Sequence, residues 1–348
     1  MKPARLIVRR RIGDIETPVG ALLKLGADAS GSFLFESIAG GERLGRYSFI
    51  GLEPDHWFRI QDGVATVSKA SDFSGPLSTS DDPVKALREF VRFAQAETDT
   101  TLPPMASGAF GYVGYDMIQH IEPVTITAED KLNVPEALLV IPKVVIVFDH
   151  IFQEILLIGR VQNDNDAAIN ALLDDVEARL ERLPETPPKD QPPVDVTLTS
   201  NTSKERYFEI VEQCRDYIRA GDIFQVVPSQ RLSTPFNRKS ISFYRALRRL
   251  NPSAFMFHMN LGDVRSPAHA RFPEMRSKMR AAPKACSLIR KKWPNTSCCL
   301  IWVAMMLAAL PPMAVSKSPN NSSSNATATS CTLSVMSKAT CARGSMLL

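Results

Sequence analysis

The chain changes character after Asp263, and that break limits how much of it can fold as one unit. Residues 1–263 carry 29 Lys+Arg against 36 Asp+Glu, a formal charge of −7. Residues 264–348 carry 12 Lys+Arg and a single acid, Glu274, a charge of +11. Five of the six cysteines (Cys286, Cys298, Cys299, Cys331 and Cys341) also lie beyond the break. The overall charge of +4 is the sum of two unlike segments and does not describe one basic surface, so it gives no reason to expect nucleic acid as a partner. Function is to be read from the first segment.

At 348 residues the chain is long enough for two domains, each with its own core. The basic stretch from Met1 to Arg11 holds only a short apolar run, without the ~7–15-residue apolar region of a signal peptide. One cysteine before the break, Cys214, fits a reducing, cytoplasmic setting and argues against a disulfide framework.

Short strands are expected at Leu6–Val8, Ser32–Phe35 and Tyr47–Ile50. A helix is expected from Asp82 to Ala96, with Val84, Leu87, Phe90, Val91 and Phe93 at helical spacing after an Asp-Pro start. The apolar runs Leu138–Phe148, interrupted by Pro142-Lys143, and Ile155–Ile158 read as buried strands. Asp164–Leu183 reads as an amphipathic helix, and the proline-rich stretch from Leu183 to Pro193 as a linker. Beyond it, Ser203–Ala220 is a predicted helix ended by Gly221. Asp222–Leu232 is a predicted strand, followed by a helix over Ile241–Leu250 and a strand over Ala254–Leu261. These elements indicate an α/β or α+β protein, with α+β the class expected here. The expected division is residues 10–183, a linker at 184–200, an incomplete second domain at 201–263, and a tail at 264–348 that is not a domain.

Four motifs stand out. Residues 33–51 are dense in glycine and charge between two strands. There Glu36 and Ser37 could meet a ligand's amine and polar groups, although on chemistry alone a solvated turn cap is the commoner use. The glycines of Gly108–Asp116 match neither a phosphate loop nor a dinucleotide fingerprint and favour close strand packing. In Tyr217–Arg231, Gln225, Ser229 and Gln230 would need partners if buried, so that strand could line a polar cavity. In Asn251–Phe257, Phe255 and Met256 could face an aromatic ligand, with core packing the more frequent use.

Taken in order, the four segments resemble the large (component I) subunit of anthranilate synthase. The resemblance covers nearly all of residues 10–263, including Thr17–Lys24. It implies an N-terminal domain of that type plus an incomplete chorismate-binding domain of mixed sheets and helices. It further implies conversion of chorismate to anthranilate and pyruvate, with Mg²⁺, and with ammonia from a glutamine amidotransferase subunit (component II). The family's tryptophan feedback site maps onto Glu36, Ser37, Ala254, Phe255 and Met256, with Ala254 standing where the family usually has proline. The run from Glu36-Ser37 to Gly51 favours this branch over related chorismate enzymes.

Past Asp263 the resemblance stops, and a shifted reading frame explains why. Synonymous codons for Val264–Ala270, read one nucleotide earlier, give Arg-Pro-Ile-Ala-Gly-Thr-Arg, similar to the family's chorismate-binding segment. The same offset turns Ile301–Ala309 into Asp-Leu-Gly-Arg-Asn-Asp-Val-Gly-Arg. Lys291–Leu300 and Thr327–Thr340 convert likewise, in family order and in one frame. The tail is therefore expected to be misread sequence after an out-of-frame deletion. Its apolar run Cys298–Leu310 is shorter than the ~20 residues of a membrane span, and its cysteines lack zinc-ligand spacing. The family's catalytic and metal-ligating positions fall downstream of Asp263. No catalytic residue and no Mg²⁺ ligand is carried over, and the chain is expected to be inactive, with a non-catalytic tryptophan-binding remnant as the alternative. The truncated second domain is expected to leave the strands at 222–232 and 254–261 short of partners.

Overall fold

The computed structural model describes residues 4–36, 45–96, 101–127, 130, 133–184, 197–234, 238–253, 255–262 and 264–270. The elements run β1 (Arg5–Ile12), α1 (Pro18–Leu25), β2 (Phe33–Glu36), β3 (Tyr47–Gln61), β4 (Val64–Ser68), β5 (Ser78–Ser80) and α2 (Pro83–Ala94). Next come β6 (Phe110–Val113), a 3₁₀ turn (Tyr115–His120), β7 (Ala137–Asp149), β8 (Glu154–Val161), α3 (Asp166–Leu180) and β9 (Thr199–Ser200). The last are α4 (Lys204–Ala220), β10 (Leu232–Ser233), α5 (Ser240–Leu250), β11 (Phe255–Leu261) and β12 (Val264–Ala270).

Ten strands form one sheet, with the path β1-β8-β7-β3-β2-β11-β12 and with β4, β5 and β6 joined at its side. The pairs in that path are antiparallel. β7 is buried along almost its whole length because a core lies on each side of it. One core packs Leu34, Ile50, Ile146, Leu157 and Met256 under α1, α3 and α5. The other gathers Phe33, Phe35, Phe110, Val145, Val147 and Phe257. Two-sided burial is why β7 reads as a continuous apolar run rather than an alternating one.

Pro142 does not break β7. It pairs with Pro54 of β3 where the register shifts between Pro54 and His56, so two residues without an N–H meet at one irregular point of the ladder. Gly51 is small for a reason: a Cβ there would lie 1.9 Å from Phe33 Cε1. Gly111, at φ +155°, likewise lets β6 approach Leu138 of β7, whose carbonyl oxygen would sit 2.1 Å from a Cβ. The glycine-rich segment is thus a close strand crossing, as its spacing suggested.

The helices begin and end where their capping residues put them. Thr17 Oγ1 accepts the N–H of Gly20 at 3.0 Å, and Asp82 accepts that of Lys85 at 2.9 Å. α1 and α3 cap each other's C-termini: Lys24 donates to the Leu180 carbonyl, and Arg179 donates to the Leu25 carbonyl. Lys24 also pairs with Glu16. The basic run of β1 has acidic neighbours on α3. Arg5 meets Asp166 at 2.6 Å, Arg9 meets Asp174 at 2.7 Å and Glu177 at 2.9 Å, and Arg11 meets Glu181 at 2.6 Å.

Two expectations are corrected. Residues 222–231 form no strand, and only Leu232–Ser233 pairs, with β9. Among the described residues the alternating pattern there has no neighbouring strand to bond, and a lone extended segment is not held in register. Gln225, Ser229 and Gln230 are exposed, so they line no polar cavity. The second correction concerns β11, which is not short of partners: it lies between β2 and β12. It therefore joins the same sheet as residues of the N-terminal half. Of the tail, residues 264–270 run antiparallel to β11, and Gly262, just after β11, has φ +70°.

Candidate site where a buried glutamate meets the second half

Glu36 ends β2, and in the β2–β11 register its partner is Met256. The pairing joins two of the residues singled out from sequence. Strand alternation then places Glu36, Met256 and His258 toward the helix-covered side, and Phe255 and Phe257 toward the other. Met256 packs in the core beneath the helices, whereas Phe255 starts the strand half-buried. Ser37 and Ala254 lie outside the described residues.

Glu36 is not a solvated turn cap. Its side chain is 2% exposed. A carboxylate so far out of water keeps its charge only with strong donors. They come from one face of α5, where Tyr244 and Arg248 stand four residues apart. The Tyr244 hydroxyl donates to Glu36 Oε1 at 2.6 Å, and Arg248 Nε donates to the same oxygen at 2.6 Å. Tyr244 is completely buried, and burial together with the adjacent carboxylate holds its phenol well above the ordinary tyrosine range. Arg248 stays 40% exposed.

Two histidines border this group. Ser48, buried on β3 one step beyond the Phe35–Phe49 pair, bonds His150 Nε2 at 2.8 Å. His150 is pulled below the ordinary imidazole range, chiefly by desolvation, while the charges of Glu36 and Asp149 act in the opposite sense. On β11, His258 is fully buried beside the Tyr244 ring, with Nε2 2.9 Å from Ser240 Oγ. Among the described residues its Nδ1 has no partner, and desolvation brings its pKa down to about 4.

Sequence reasoning missed Tyr244, Arg248, Ser48 and His150. The signal for the first two was present: Tyr244 and Arg248 fall on the same turn-spaced stripe as Ile241, and an acid at a strand end needs a cation if it is buried. The family resemblance implies Mg²⁺. Among the described residues no group of three or more His, Cys, Asp or Glu could hold a metal ion, so no chemistry is assigned through one here.

The profile of the chorismate binding enzymes matches residues 32–270, which span the whole of this site from Glu36 to β12. The chain belongs to the chorismate-binding enzyme family. Within it, the curated relatives are anthranilate synthase component I proteins. That of Cereibacter sphaeroides is 35% identical over 270 residues, covering 74% of this chain and 54% of its own length. That of Thermus thermophilus is 39% identical over 253 residues, covering 73% and 53%. The crystal structure of anthranilate synthase component I from Streptococcus pneumoniae superposes with a TM-score of 0.51 at 26% identity, over 73% of this chain and 55% of that one. The α+β class and the component I resemblance are thereby established. The chain spans about half the length of the curated relatives it matches. Among the described residues no helix is long and apolar enough to cross a membrane.

Proposed function

We propose that the complete protein is anthranilate synthase component I, forming anthranilate and pyruvate from chorismate in the first step of tryptophan biosynthesis. In this reading Mg²⁺ is the cofactor and a component II amidotransferase supplies ammonia in the cytoplasm. The names of the relatives support the reaction and the partner, and the single cysteine before residue 264 supports a reducing compartment. The observation that carries the reading at residue level is the Glu36–Met256 register pair closed by Tyr244 and Arg248, within a chain of this family. Glu36, Ser37, Ala254, Phe255 and Met256 are the residues we assign to tryptophan binding, with Glu36 as the partner of the ligand's amine.

The sequence as it stands is read as an inactive form whose frame shifts after Asp263. Support comes from the recoverable family segments in the offset frame, and from the change of charge after Asp263. Chorismate, Mg²⁺ and ammonia added to the purified full chain are expected to give no anthranilate fluorescence. A signal above the no-enzyme control disproves inactivity. The second reading, a non-catalytic tryptophan-binding remnant, is favoured by the docking of β11 beside β2, which completes this group without any residue beyond 270. Titration calorimetry with L-tryptophan at several temperatures tests it, and the absence of heat at all of them removes it.

A further inference from the structure

The second half is fastened to the sheet along one short seam. β11 and β12 are the last two strands of the sheet path, and among the described residues β11 reaches the others through β2, over Phe33–Glu36. β3 and β7, by contrast, pair from Tyr47 to Ile60. Hydrogen bonds close the seam at both ends. Glu36 takes Tyr244 and Arg248 at one end. At the other, the Asn260 backbone bonds Gly31 and Ser32, and its Nδ2 donates to the carbonyls of Asp28 and Ala29 at 2.6 and 3.1 Å. α4, which comes before this unit, buries only Cys214 and adds little to hold it.

His258 sits in the middle of the seam, opposite Leu34, and is fully buried. Its Nε2 is held by Ser240, the first residue of α5, and among the described residues Nδ1 has no partner. A neutral ring with its proton on Nε2 leaves only a lone pair unserved there. A protonated ring makes both nitrogens donors and buries a charged N–H without an acceptor. The surrounding charges do not relieve this. The positive end of the α5 dipole and Lys239 oppose a further cation, and Asp28, which favours one, already pairs with Lys239 at 2.9 Å. Arg248 is taken by Glu36. On β12 the register sets Pro267 opposite His258, with Arg265 and His269 two places to either side.

We propose that His258 is a proton-operated latch: when its ring takes up a proton, α5 and β11 part from β2 together, while the sheet of β1, β8, β7 and β3 stays folded. The seam is where the ring reaches water at least cost, because parting it breaks one short ladder. Each core loses only its margin there, Ile241, Tyr244 and Met256 from one and Phe257, Met259 and Leu261 from the other. The Glu36 group is assembled only while the seam is shut, so proton uptake takes it apart. No ligand is needed for the release.

Hydrogen exchange read by mass spectrometry on the full chain at pH 7.5 and 5.0 tests this, each rate divided by that of an unstructured amide at the same pH. Amides of Phe33–Phe35 and Met256–Asn260 are expected to lose protection roughly tenfold or more at the lower pH. Those of Val144–Val147 and Ile155–Ile158 are expected to change by no more than about threefold. In His258→Leu the loss at the seam is absent, and His258→Gln supplies a second uncharged side chain if the leucine variant does not dock at neutral pH. Equal loss across β2, β11, β7 and β8 overturns the proposal, because acid then loosens the whole sheet. Unchanged protection at the wild-type seam also overturns it. So does a seam that opens in acid in both uncharged variants, which assigns the trigger to another group such as His150 or His269. The wild-type comparison of seam and central strands stands even if neither variant folds.

Discussion

The Tyr244 hydroxyl stops 2.6 Å from Glu36 Oε1 across 208 residues of chain, and both side chains are buried. Their contact fastens α5 to the end of β2, and Arg248 on the next turn of α5 reinforces it. The bond ties the helix that precedes β11 to the strand beside which β11 pairs, so the docking of the second half on the first runs through this carboxylate.

Tyr244→Phe keeps the ring and its packing but removes the donor. Half of what satisfies Oε1 is lost in a site with no water to replace it, which costs about 1–3 kcal/mol. Urea denaturation of the two proteins is expected to show a lower midpoint with an unchanged slope. An unchanged midpoint shows that Arg248 alone suffices for Glu36.

The strands β1, β2, β3, β7, β8 and β11 were legible in the residues, and their partners were not. β7 announces itself as an apolar run because both its faces are buried, and α1, α2 and α4 carry their capping residues in plain sight. The pairing of β11 with β2 depends on surfaces far apart in the chain, which no local pattern encodes. Glu36 illustrates the same limit: an isolated acid at a strand end is ordinarily solvated, and only the arrival of Tyr244 and Arg248 makes its burial tolerable. Asp222–Leu232 failed in the opposite sense, since its alternation suggested a strand where, among the described residues, only Leu232 has a strand partner. On α4 the predicted apolar face buries only Cys214, and Ile218 remains 46% exposed.

His258 gives stability a dependence on mild acid. Its folded pKa is about 4 against an ordinary value of 6.5, so between these values the unfolded state binds more protons. The stabilisation is fully present above pH 6.5 and is lost as pH falls through the window toward about 4. The total is on the order of 3 kcal/mol. The groups facing the ring are Ser240 and Tyr244 on α5 and Asp28, whose charge acts weakly to raise the pKa. His150 moves in the same direction, but it is less buried than His258 and adds less. Asp55 and Asp149, whose folded pKa values are lowered below 3.8, lose their contribution only in stronger acid. Melting temperature measured from pH 7.5 to 4 should fall more steeply in wild type than in His258→Leu, and parallel curves assign the acid loss elsewhere.

Gly51→Ala tests the closest approach in the sheet. The new methyl group would meet the Phe33 ring at 1.9 Å, and Phe33 is itself stacked on Phe110 at 4.6 Å. The ring has little room to retreat, so overpacking is expected to cost about 1–3 kcal/mol. Phe33→Leu in the same chain should recover part of that loss, because it removes the atoms that clash. A melting temperature unchanged by Gly51→Ala shows that β2 and β3 separate without penalty.

Mg²⁺ is expected to leave the stability of this chain untouched. A ligand that binds the native state alone stabilises it by RT ln(1 + [L]/Kd), about 2.7 kcal/mol at a hundredfold excess over Kd. Among the described residues no set of side chains offers three ligands to a metal, and the proposed frame shift removes the segment from which the family's ligands come. Melting curves in millimolar Mg²⁺ and in EDTA should therefore superpose. Restoring the reading frame after Asp263 should produce both a Mg²⁺-dependent rise in melting temperature and anthranilate formation. A Mg²⁺-dependent shift in the unrestored chain overturns the proposed loss of the metal site, and resequencing the DNA for codons 255–348 then shows whether the frame was ever broken.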